Sequence, residues 1–420
     1  MNKLTKYAFA DLYAMASGIS TTKEQAGHGR PFVSFSTVFN NYFLPDTLPD
    51  LMDTSLKEQE TYSIKKGDIL VTRTSETIDE LAMSCVAVKD YPSATYSGFT
   101  KRLRPLTTGI AYDKYLAFYL RGYLFRKAVT NNAFMTLRAS FNEDIFSFLS
   151  LYLPDYQEQV KIGDMLYNME QKIQLNKQIC AELEAMAKTL YDYWFVQFDF
   201  PDENGKPYRA SGGEMVWNER LKREIPKGWR CAVLSDFISI ENASVNPATL
   251  GTEIMEHYSI PAYDDNFYPA FEQADTIQSG KYQVCKNSIL VSKLNPQFKR
   301  IWDPFCISEN AICSTEFMVY ISHKDCLRPF CFALANSDGF YRHMVSKAIS
   351  STGSRKRIQP DVSLMYQFAA PNTDVLLSTF SARYCPIMDK IKQVRLENYE
   401  LQKLRDWLLP MLMNGQARVE

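Results

Sequence analysis

The chain has 420 residues and a formal net charge of −1, so it is long enough for two or three domains and is not a polycation as a whole. Its nine cysteines include no CxxC pair, which argues against a zinc site and favours free thiols in a reducing compartment. No apolar run of about 18 residues and no signal peptide are present, so we expect a cytoplasmic protein that does not enter a membrane.

A first module is predicted over residues 1–153, where strand-like and helix-like patterns alternate. The apolar run Ile69–Val71 follows the turn at Lys66–Asp68 and predicts a short buried strand. Residues Tyr115–Val129 predict a helix with basic residues on its polar face. Pro154 marks the end of the module.

A long helix is predicted next, over residues 154–200. The chain has neither glycine nor proline between Gly163 and Pro201, which allows a helix of about 55 Å at about 1.5 Å per residue. Pro201 forbids its continuation, and the turn-rich residues 201–216 predict an ordered linker.

A second module over residues 217–371 and a second long helix over residues 372–420 complete the predicted order. The helix is expected to fill Thr379–Asn414, with Pro386 near its start and Pro410 near its end as interruptions. The chain therefore consists of a module and a helix, followed by a similar module and helix.

The two halves are a repeat with an offset of about 218 residues. Apolar residues in each helix alternate in steps of three and four, the spacing of a coiled-coil seam. The seam of the first helix comprises Leu166, Met169, Ile173, Asn176, Cys180, Leu183, Ala187, Leu190 and Trp194. Residues Ser63–Arg73 also match Gln283–Lys293 at an offset of 220. The repeat predicts an antiparallel helix pair about a pseudo-two-fold axis, with Asn176 facing Asn398 in the seam.

No constellation of catalytic residues is recognisable. The chain has no glycine-rich loop for a dinucleotide or a nucleotide phosphate, and its four histidines are far apart in sequence. We therefore predict no catalytic residue and no metal ligand in this chain.

Basic residues are locally concentrated in both modules. Between Lys101 and Arg138 there are eight Lys or Arg residues and one acid, and no acid lies between Arg342 and Arg357. Such an excess suits a face that contacts phosphates, and the alternative is an ordinary solvated surface. The residues predicted to bind DNA from these segments are Lys101, Arg102, Arg104, Arg138, Arg355, Lys356 and Arg357.

The two matching strand ends are a second candidate surface. Arg73 and Thr74 follow the first strand, and Lys293 and Asn295 follow its counterpart. Arginine and asparagine are suited to bidentate contacts with bases, so these four residues are also predicted to bind DNA. The alternative is that they are ordinary polar residues between a strand and a loop.

The stretch Leu190–Trp229 strongly resembles the central region of type I restriction–modification specificity (S) subunits. The resemblance rests on ordered motifs over some 40 residues, and the duplicated layout extends it to the whole chain. These motifs are Trp194-Phe195, Phe198-Asp199-Phe200-Pro201, Gly205-Lys206-Pro207-Tyr208, Ser211-Gly212-Gly213 and Ile225-Pro226-Lys227-Gly228-Trp229. The second helix ends differently, at Trp407-Leu408-Leu409-Pro410, and the five-residue entry motif precedes only the second module.

The resemblance implies an α+β protein with two similar target-recognition domains, joined by two long antiparallel coiled-coil helices with pseudo-two-fold symmetry. It implies sequence-specific binding of bipartite double-stranded DNA, with two modification subunits and restriction subunits as partners. S-adenosylmethionine, ATP and Mg would belong to the partner subunits, so no cofactor is expected in this chain. Such systems defend cells against phage DNA.

The aromatic residues at the end of the first helix allow two interpretations. They could pack on the second helix, or they could dock a modification subunit, as the resemblance suggests. The residues predicted for docking are Trp194, Phe195, Phe198 and Phe200.

Two rival functions follow from the same sequence. A coiled-coil scaffold whose modules bind protein would show no salt-dependent affinity for DNA. A single-chain methyltransferase would have to bind S-adenosylmethionine alone, and the missing glycine-rich loop argues against it.

Overall fold

The structure is a computed structural model, which describes residues 4–132, 139–352 and 355–419. The chain divides into two compact units. Unit 1 comprises Met1–Ile173 and Leu401–Glu420, and unit 2 comprises Gln174–Glu400. Each unit therefore contains one mixed α/β module together with part of each long helix, and the α+β class predicted from the sequence is confirmed.

The strands and helices of the module in unit 1 are short. Its strands are Thr5–Ala8, Tyr13–Ser17, Ala26–Val33, Asp50–Met52, Ile69–Thr72, Thr74–Ser75, Ser84–Val86, Thr95–Tyr96, Thr100–Pro105, Ala139–Ser140 and Ser150–Leu153. Its α-helices are Phe9–Leu12, Phe35–Asn40, Leu56–Thr61, Asp113–Tyr119, Tyr123–Asn132 and Glu143–Phe148. Single turns of 3₁₀-helix lie at Lys23–Gln25 and Ile78–Glu80.

The module in unit 2 has a similar series of elements. Its strands are Met215–Asn218, Arg223–Pro226, Trp229–Val233, Ile238–Ile240, Ser244–Val245, Ile254–Tyr258, Ala270–Gln273, Lys281–Gln283, Ser288–Ser292, Ile301–Trp302, Ala311–Ser314, Phe317–Ser322, Ile349–Thr352, Arg355–Arg357 and Gln367–Pro371. Its α-helices are Ile260–Asn266, Arg328–Ala335, Asp338–Lys347 and Pro360–Leu364. Turns of 3₁₀-helix lie at Leu234–Asp236, Pro247–Thr249, Ala274–Thr276 and Asp325–Leu327.

A four-stranded antiparallel sheet lies at the centre of each module. In unit 1 the strand order is Tyr13–Ser17, Thr100–Pro105, Ile69–Thr72 and Ser84–Val86. In unit 2 the order is Ile238–Ile240, Phe317–Ser322, Ser288–Ser292 and Ile301–Trp302. The two sheets have the same order of equivalent strands, so the repeat in the sequence is a repeat of the fold.

The predicted strand Ile69–Val71 is confirmed, and its continuous apolar run has a structural cause. Ile69 and Val71 face one hydrophobic core, and Leu70 between them faces another. In unit 2, Ile289 and Val291 likewise face one core while Leu290 faces another. A strand covered on both faces needs apolar residues at every position rather than at alternate ones.

The single helix predicted over Tyr115–Val129 is wrong in one respect, because the chain forms two helices there. The break is at Gly122, whose N–H donates to the Tyr119 carbonyl oxygen at 3.0 Å. Arg121 beside it is half-buried, and its guanidinium donates to the carbonyl oxygens of Ser84, Val38, Phe39 and Asn41. The side chain that looked like part of a basic helix face therefore satisfies buried carbonyl groups.

The first long helix, spacer helix 1, spans Tyr156–Tyr191 and continues as a turn of π-helix over Asp192–Val196. The second, spacer helix 2, spans Asp374–Met413 without interruption, so the interruptions predicted at its two prolines are wrong. It ends where Gly415 adopts a φ of 68°, and the Gly415 N–H donates to the Leu412 carbonyl oxygen. A glycine in this conformation is a common helix terminator.

The two spacer helices run antiparallel within each unit, as predicted. In unit 2 the Asn176 amide donates to the Glu397 carboxylate at 2.9 Å, and Glu184 pairs with Arg395. In unit 1 Glu170 pairs with Arg405 at 2.8 Å. Asn176 is buried, and its partner Glu397 directly precedes Asn398, so the predicted register is correct to within one residue.

Candidate nucleic-acid interface

In unit 1, the segment after the central strand is held by hydrogen bonds on both sides. The Arg73 N–H donates to the Phe99 carbonyl oxygen at 2.8 Å, and the Arg73 carbonyl oxygen accepts from the Phe141 N–H at 2.7 Å. The next two residues, Thr74–Ser75, pair with Ala139–Ser140. The strand end therefore presents side chains from three separate parts of the sequence.

In unit 2, the equivalent segment is held in the same way. The Lys293 N–H donates to the Glu316 carbonyl oxygen at 2.9 Å, and the Lys293 carbonyl oxygen accepts from the Ile358 N–H at 3.1 Å. Leu294 forms a bridge with Arg357. The strand end and the basic segment, which were predicted as two separate candidate surfaces, are thus neighbours.

We name these two places strand-end cluster 1 and strand-end cluster 2. Cluster 1 comprises Ser17, Arg73, Thr74, Phe99, Lys101 and Ser140. Cluster 2 comprises Lys293, Asn295, Glu316, Arg355, Lys356 and Arg357. The backbone hydrogen bonds match residue for residue, but the side chains differ, since Phe99 in cluster 1 occupies the place of Glu316 in cluster 2.

Cluster 1 is electropositive and partly apolar. Arg73 is exposed, and among the described residues its guanidinium makes one long contact of 3.5 Å, with the Gly98 carbonyl oxygen. The Lys101 ammonium donates to the Ser17 hydroxyl at 2.9 Å, and its pKa is lowered by burial and by the nearby charge of Arg73. Phe99 beside them is 64% exposed. Two cations that repel each other next to an exposed ring form a site that an anion such as phosphate would stabilise.

Cluster 2 contains more cations around a single carboxylate. The Arg357 guanidinium donates to Glu316 through Nε at 3.1 Å and Nη2 at 2.6 Å. The pKa of Glu316 is lowered mainly by this hydrogen-bonded contact, and also by the charges of Lys293 and Arg355. Arg355 and Lys356 are exposed, and their side chains have no partner among the residues that the structure describes.

Asn295 has a structural place in cluster 2. Its N–H donates to the Lys356 carbonyl oxygen at 2.7 Å, and its side-chain oxygen accepts from the Lys356 N–H at 2.9 Å. Its φ of 48° is in the left-handed region, which asparagine tolerates better than most residues. Asn295 therefore fixes the turn that places Lys356 and Arg357, and a direct contact with a base stays a prediction.

Arg102 and Arg104, which were predicted to bind DNA, have their guanidinium groups engaged within the chain. Arg102 is 9% exposed and donates to the Ser63 carbonyl oxygen at 2.6 Å. Arg104 forms an ion pair of 2.6 Å with the buried Asp68. We therefore leave both out of the candidate interface. Arg138 lies outside the described residues.

The four aromatic residues predicted for subunit docking are buried. Their exposed fractions are 2% for Trp194, 5% for Phe195, 0% for Phe198 and 8% for Phe200. They belong to the main core of unit 2, where Phe195 contacts Phe380 of spacer helix 2 at 4.9 Å between ring centroids. Packing against the second helix, the alternative interpretation, is what the structure shows, and these rings offer little surface to a partner.

Sequence reasoning missed Phe99 and Glu316. Both lie directly before a strand, and neither belongs to a basic segment or a motif. Only the offset of 217 residues between them could have indicated that they occupy equivalent places.

The family comparison matches the first module and most of spacer helix 1. Residues 11–185 match the model of the type I restriction modification DNA specificity domain. The MjaIX specificity subunit of a type I restriction enzyme of Methanocaldococcus jannaschii is 24% identical over 402 residues, covering 88% of this chain and 82% of that protein. Residues 11–185 are therefore similar to a type I restriction modification DNA specificity domain, and most of the chain is similar to a type I specificity subunit.

Two further comparisons agree with the family. The HindI specificity subunit of Haemophilus influenzae is 30% identical over 172 residues, covering 40% of this chain and 36% of that protein. The crystal structure of the S subunit from M. genitalium has a TM-score of 0.62 and 12% identity, covering 98% of this chain and 96% of that one. At this identity the likeness shows a shared fold.

Among the described residues, no helix is both long and apolar enough to cross a membrane.

Proposed function

We propose that this S subunit binds bipartite double-stranded DNA, with each strand-end cluster contacting one half of the target. The observation that carries the proposal is the recurrence of one hydrogen-bonded strand end in both units, each time with exposed cations. Cations on a fixed backbone can both neutralise phosphates and read base edges. A net charge of −1 means that this capacity is local to the clusters.

Catalysis is assigned to partner subunits. Two modification subunits would methylate adenine with S-adenosylmethionine, and restriction subunits with ATP and Mg would cleave the DNA. The resemblance supports these assignments, as does the similarity of the chain to specificity subunits. In this proposal the chain is a non-catalytic cytoplasmic subunit that selects the DNA sequence, and its spacer helices receive the modification subunits.

Methylation-site sequencing tests the proposal. DNA from cells that express this chain with its cognate modification subunit should carry methyladenine within a two-part motif. Replacing Arg73 by Ala should change one half of the motif or weaken binding, and replacing Lys293 by Ala should affect the other half. Lys222→Ala is a matched control, because Lys222 is 73% exposed on its side chain and pairs with Glu219 on a different hairpin.

The salt dependence of binding separates the rival function. Loss of one phosphate contact should reduce the slope of log affinity against log salt by about 1. A complex that methylates no defined motif, together with a chain whose DNA affinity does not vary with salt, would favour the protein-binding scaffold instead.

A further inference from the structure

Three adjacent cations of cluster 2 are held in different ways, although the sequence Arg355-Lys356-Arg357 presents them as one run. Arg355 and Lys356 are exposed, with no side-chain partner among the described residues. Arg357 is half-buried, with 38% of its side chain exposed, and is fixed by Glu316. Side chains held so differently are suited to different contacts.

The contact with Glu316 leaves a defined part of the Arg357 guanidinium available. A guanidinium has five N–H donors in a planar fork. Glu316 accepts from Nε and from one N–H of Nη2, so it occupies the side edge of the fork. The end of the fork, formed by Nη1 and the other N–H of Nη2, has no partner among the described residues and can donate two parallel hydrogen bonds.

The backbone under Arg357 is also fixed. Leu294 bridges to Arg357, and the following residue, Ile358, donates its N–H to the Lys293 carbonyl oxygen. Ile358 itself is 1% exposed, which anchors the segment in the core. Both ends of the Arg357 side chain are therefore held before any ligand binds, which reduces the conformational entropy lost on binding.

We infer that Arg357, oriented by Glu316, is the base-reading side chain of cluster 2 and requires a guanine in that half of the target. The end of a guanidinium fork matches the O6 and N7 acceptors of guanine in the major groove. Glu316 acts as a positioning residue and Arg355 and Lys356 contact phosphates. This inference rests on the proposed function, because it names a specificity determinant within the same DNA-binding surface.

Cluster 1 supplies an internal comparison. The place of Glu316 is taken there by Phe99, and the place of Arg357 by Ser140. Cluster 1 thus has no arginine held by a carboxylate at this position. The dependence on guanine through such a pair is expected in one half of the target, and substitutions in cluster 2 should leave the other half unchanged.

The experiment is selection from a randomised duplex DNA library by the complex of this chain with its modification subunit, followed by sequencing. Arg357→Lys keeps the charge but removes the bidentate fork, so discrimination between G·C and the other base pairs at one position should fall by about 5- to 150-fold. Glu316→Gln should lower the same discrimination while raising non-specific affinity, because a negative charge beside the phosphates is lost. A fall in base discrimination together with a rise in non-specific affinity would not follow from a purely structural role of Glu316.

Two controls keep the outcomes separable. Glu219→Gln also removes one negative charge, from an exposed pair on another hairpin, and should leave the selected sequence unchanged. Lys356→Ala should weaken binding to all sequences without changing the motif. If the wild-type complex selects no motif, the proposed function itself fails. If it selects a motif that both Arg357→Lys and Glu316→Gln leave unchanged at every position, the inference is overturned while the proposed function stands.

Discussion

Phe198 distinguishes between packing and docking as the role of the aromatic residues at the end of spacer helix 1. Its side chain is completely buried, its ring contacts Trp229 at 5.3 Å between centroids, and the Arg223 guanidinium lies over it at 4.5 Å. Replacing a buried phenylalanine by alanine costs about 3–5 kcal/mol. For a domain of this size, about 2–4 °C is lost per kcal/mol, so the melting temperature of unit 2 should fall by about 6–20 °C.

The backbone at Phe198 refines the prediction. Its φ of 65° is in the left-handed region, where a side chain with a Cβ costs about 1–2 kcal/mol. Phe198→Gly should therefore be more stable than Phe198→Ala by about 1 kcal/mol, although glycine is normally the more destabilising residue. This order of stability reports the backbone conformation, whereas the loss of stability common to both variants reports the buried ring.

The assay combines thermal unfolding with co-purification of the modification subunit. Well below its transition, Phe198→Ala should still assemble, since the ring is not at the surface. Val196→Ala is the matched control, because Val196 is 44% exposed on the same turn and its loss should change stability by less than about 0.5 kcal/mol. A Phe198→Ala chain with an unchanged melting temperature that no longer assembles would refute the packing interpretation and restore the docking one.

Three further predictions concern charges and thiols. Arg405→Met should lower the free energy of unfolding by about 3–5 kcal/mol, because it removes the cation paired with Glu170, whose side chain is only 9% exposed. The double variant Glu170→Met, Arg405→Met should recover most of this loss, as measured by denaturant titration. Glu316 has a pKa below its ordinary 4.5, so its contribution to stability is present above about pH 4.5 and is lost as the pH falls through the lower pKa of the folded state. The difference in unfolding free energy between the wild type and Glu316→Gln should therefore shrink on acidification. A difference that stays constant with pH would contradict the ion pair. Burial raises the pKa of the Cys85, Cys313 and Cys331 thiols to about 12. A disulfide reagent at neutral pH should therefore react quickly with the exposed Cys285 and Cys326 and not with the three buried thiols. A Cys285→Ser, Cys326→Ser double variant that still shows the fast phase of thiol reaction would contradict this.

The elements that the sequence predicted well are those with strong periodic or apolar patterns. The two long helices and the strand Ile69–Val71 are examples, because heptad spacing and a continuous apolar run each favour one structure. The prolines of spacer helix 2 were misleading. Tertiary packing of Phe380, Tyr384 and Met388 in the core of unit 2 holds the helix through Pro386 in spite of the lost hydrogen bond.

The candidate site was harder to predict because charge along the chain does not indicate exposure. Arg102, Arg104 and Arg121 belong to the most basic stretch of the first module, yet the fold uses them to satisfy buried carbonyl and carboxylate groups. A buried arginine needs such partners, and these come from residues 36 to 83 positions away that no local pattern identifies. Basic composition alone therefore overestimated the phosphate-contacting surface of unit 1.

In the proposed function, the duplicated strand end allows one backbone to carry two specificities. Arg73 and Lys293 make the same pair of backbone hydrogen bonds, so the positions of the surrounding side chains are set by main-chain groups that substitutions leave unchanged. Replacing Phe99 or Glu316 alters the chemistry of a cluster without removing any of those bonds. A DNA-binding surface built in this way can change the bases it prefers while the core strand behind it, apolar on both faces, stays the same.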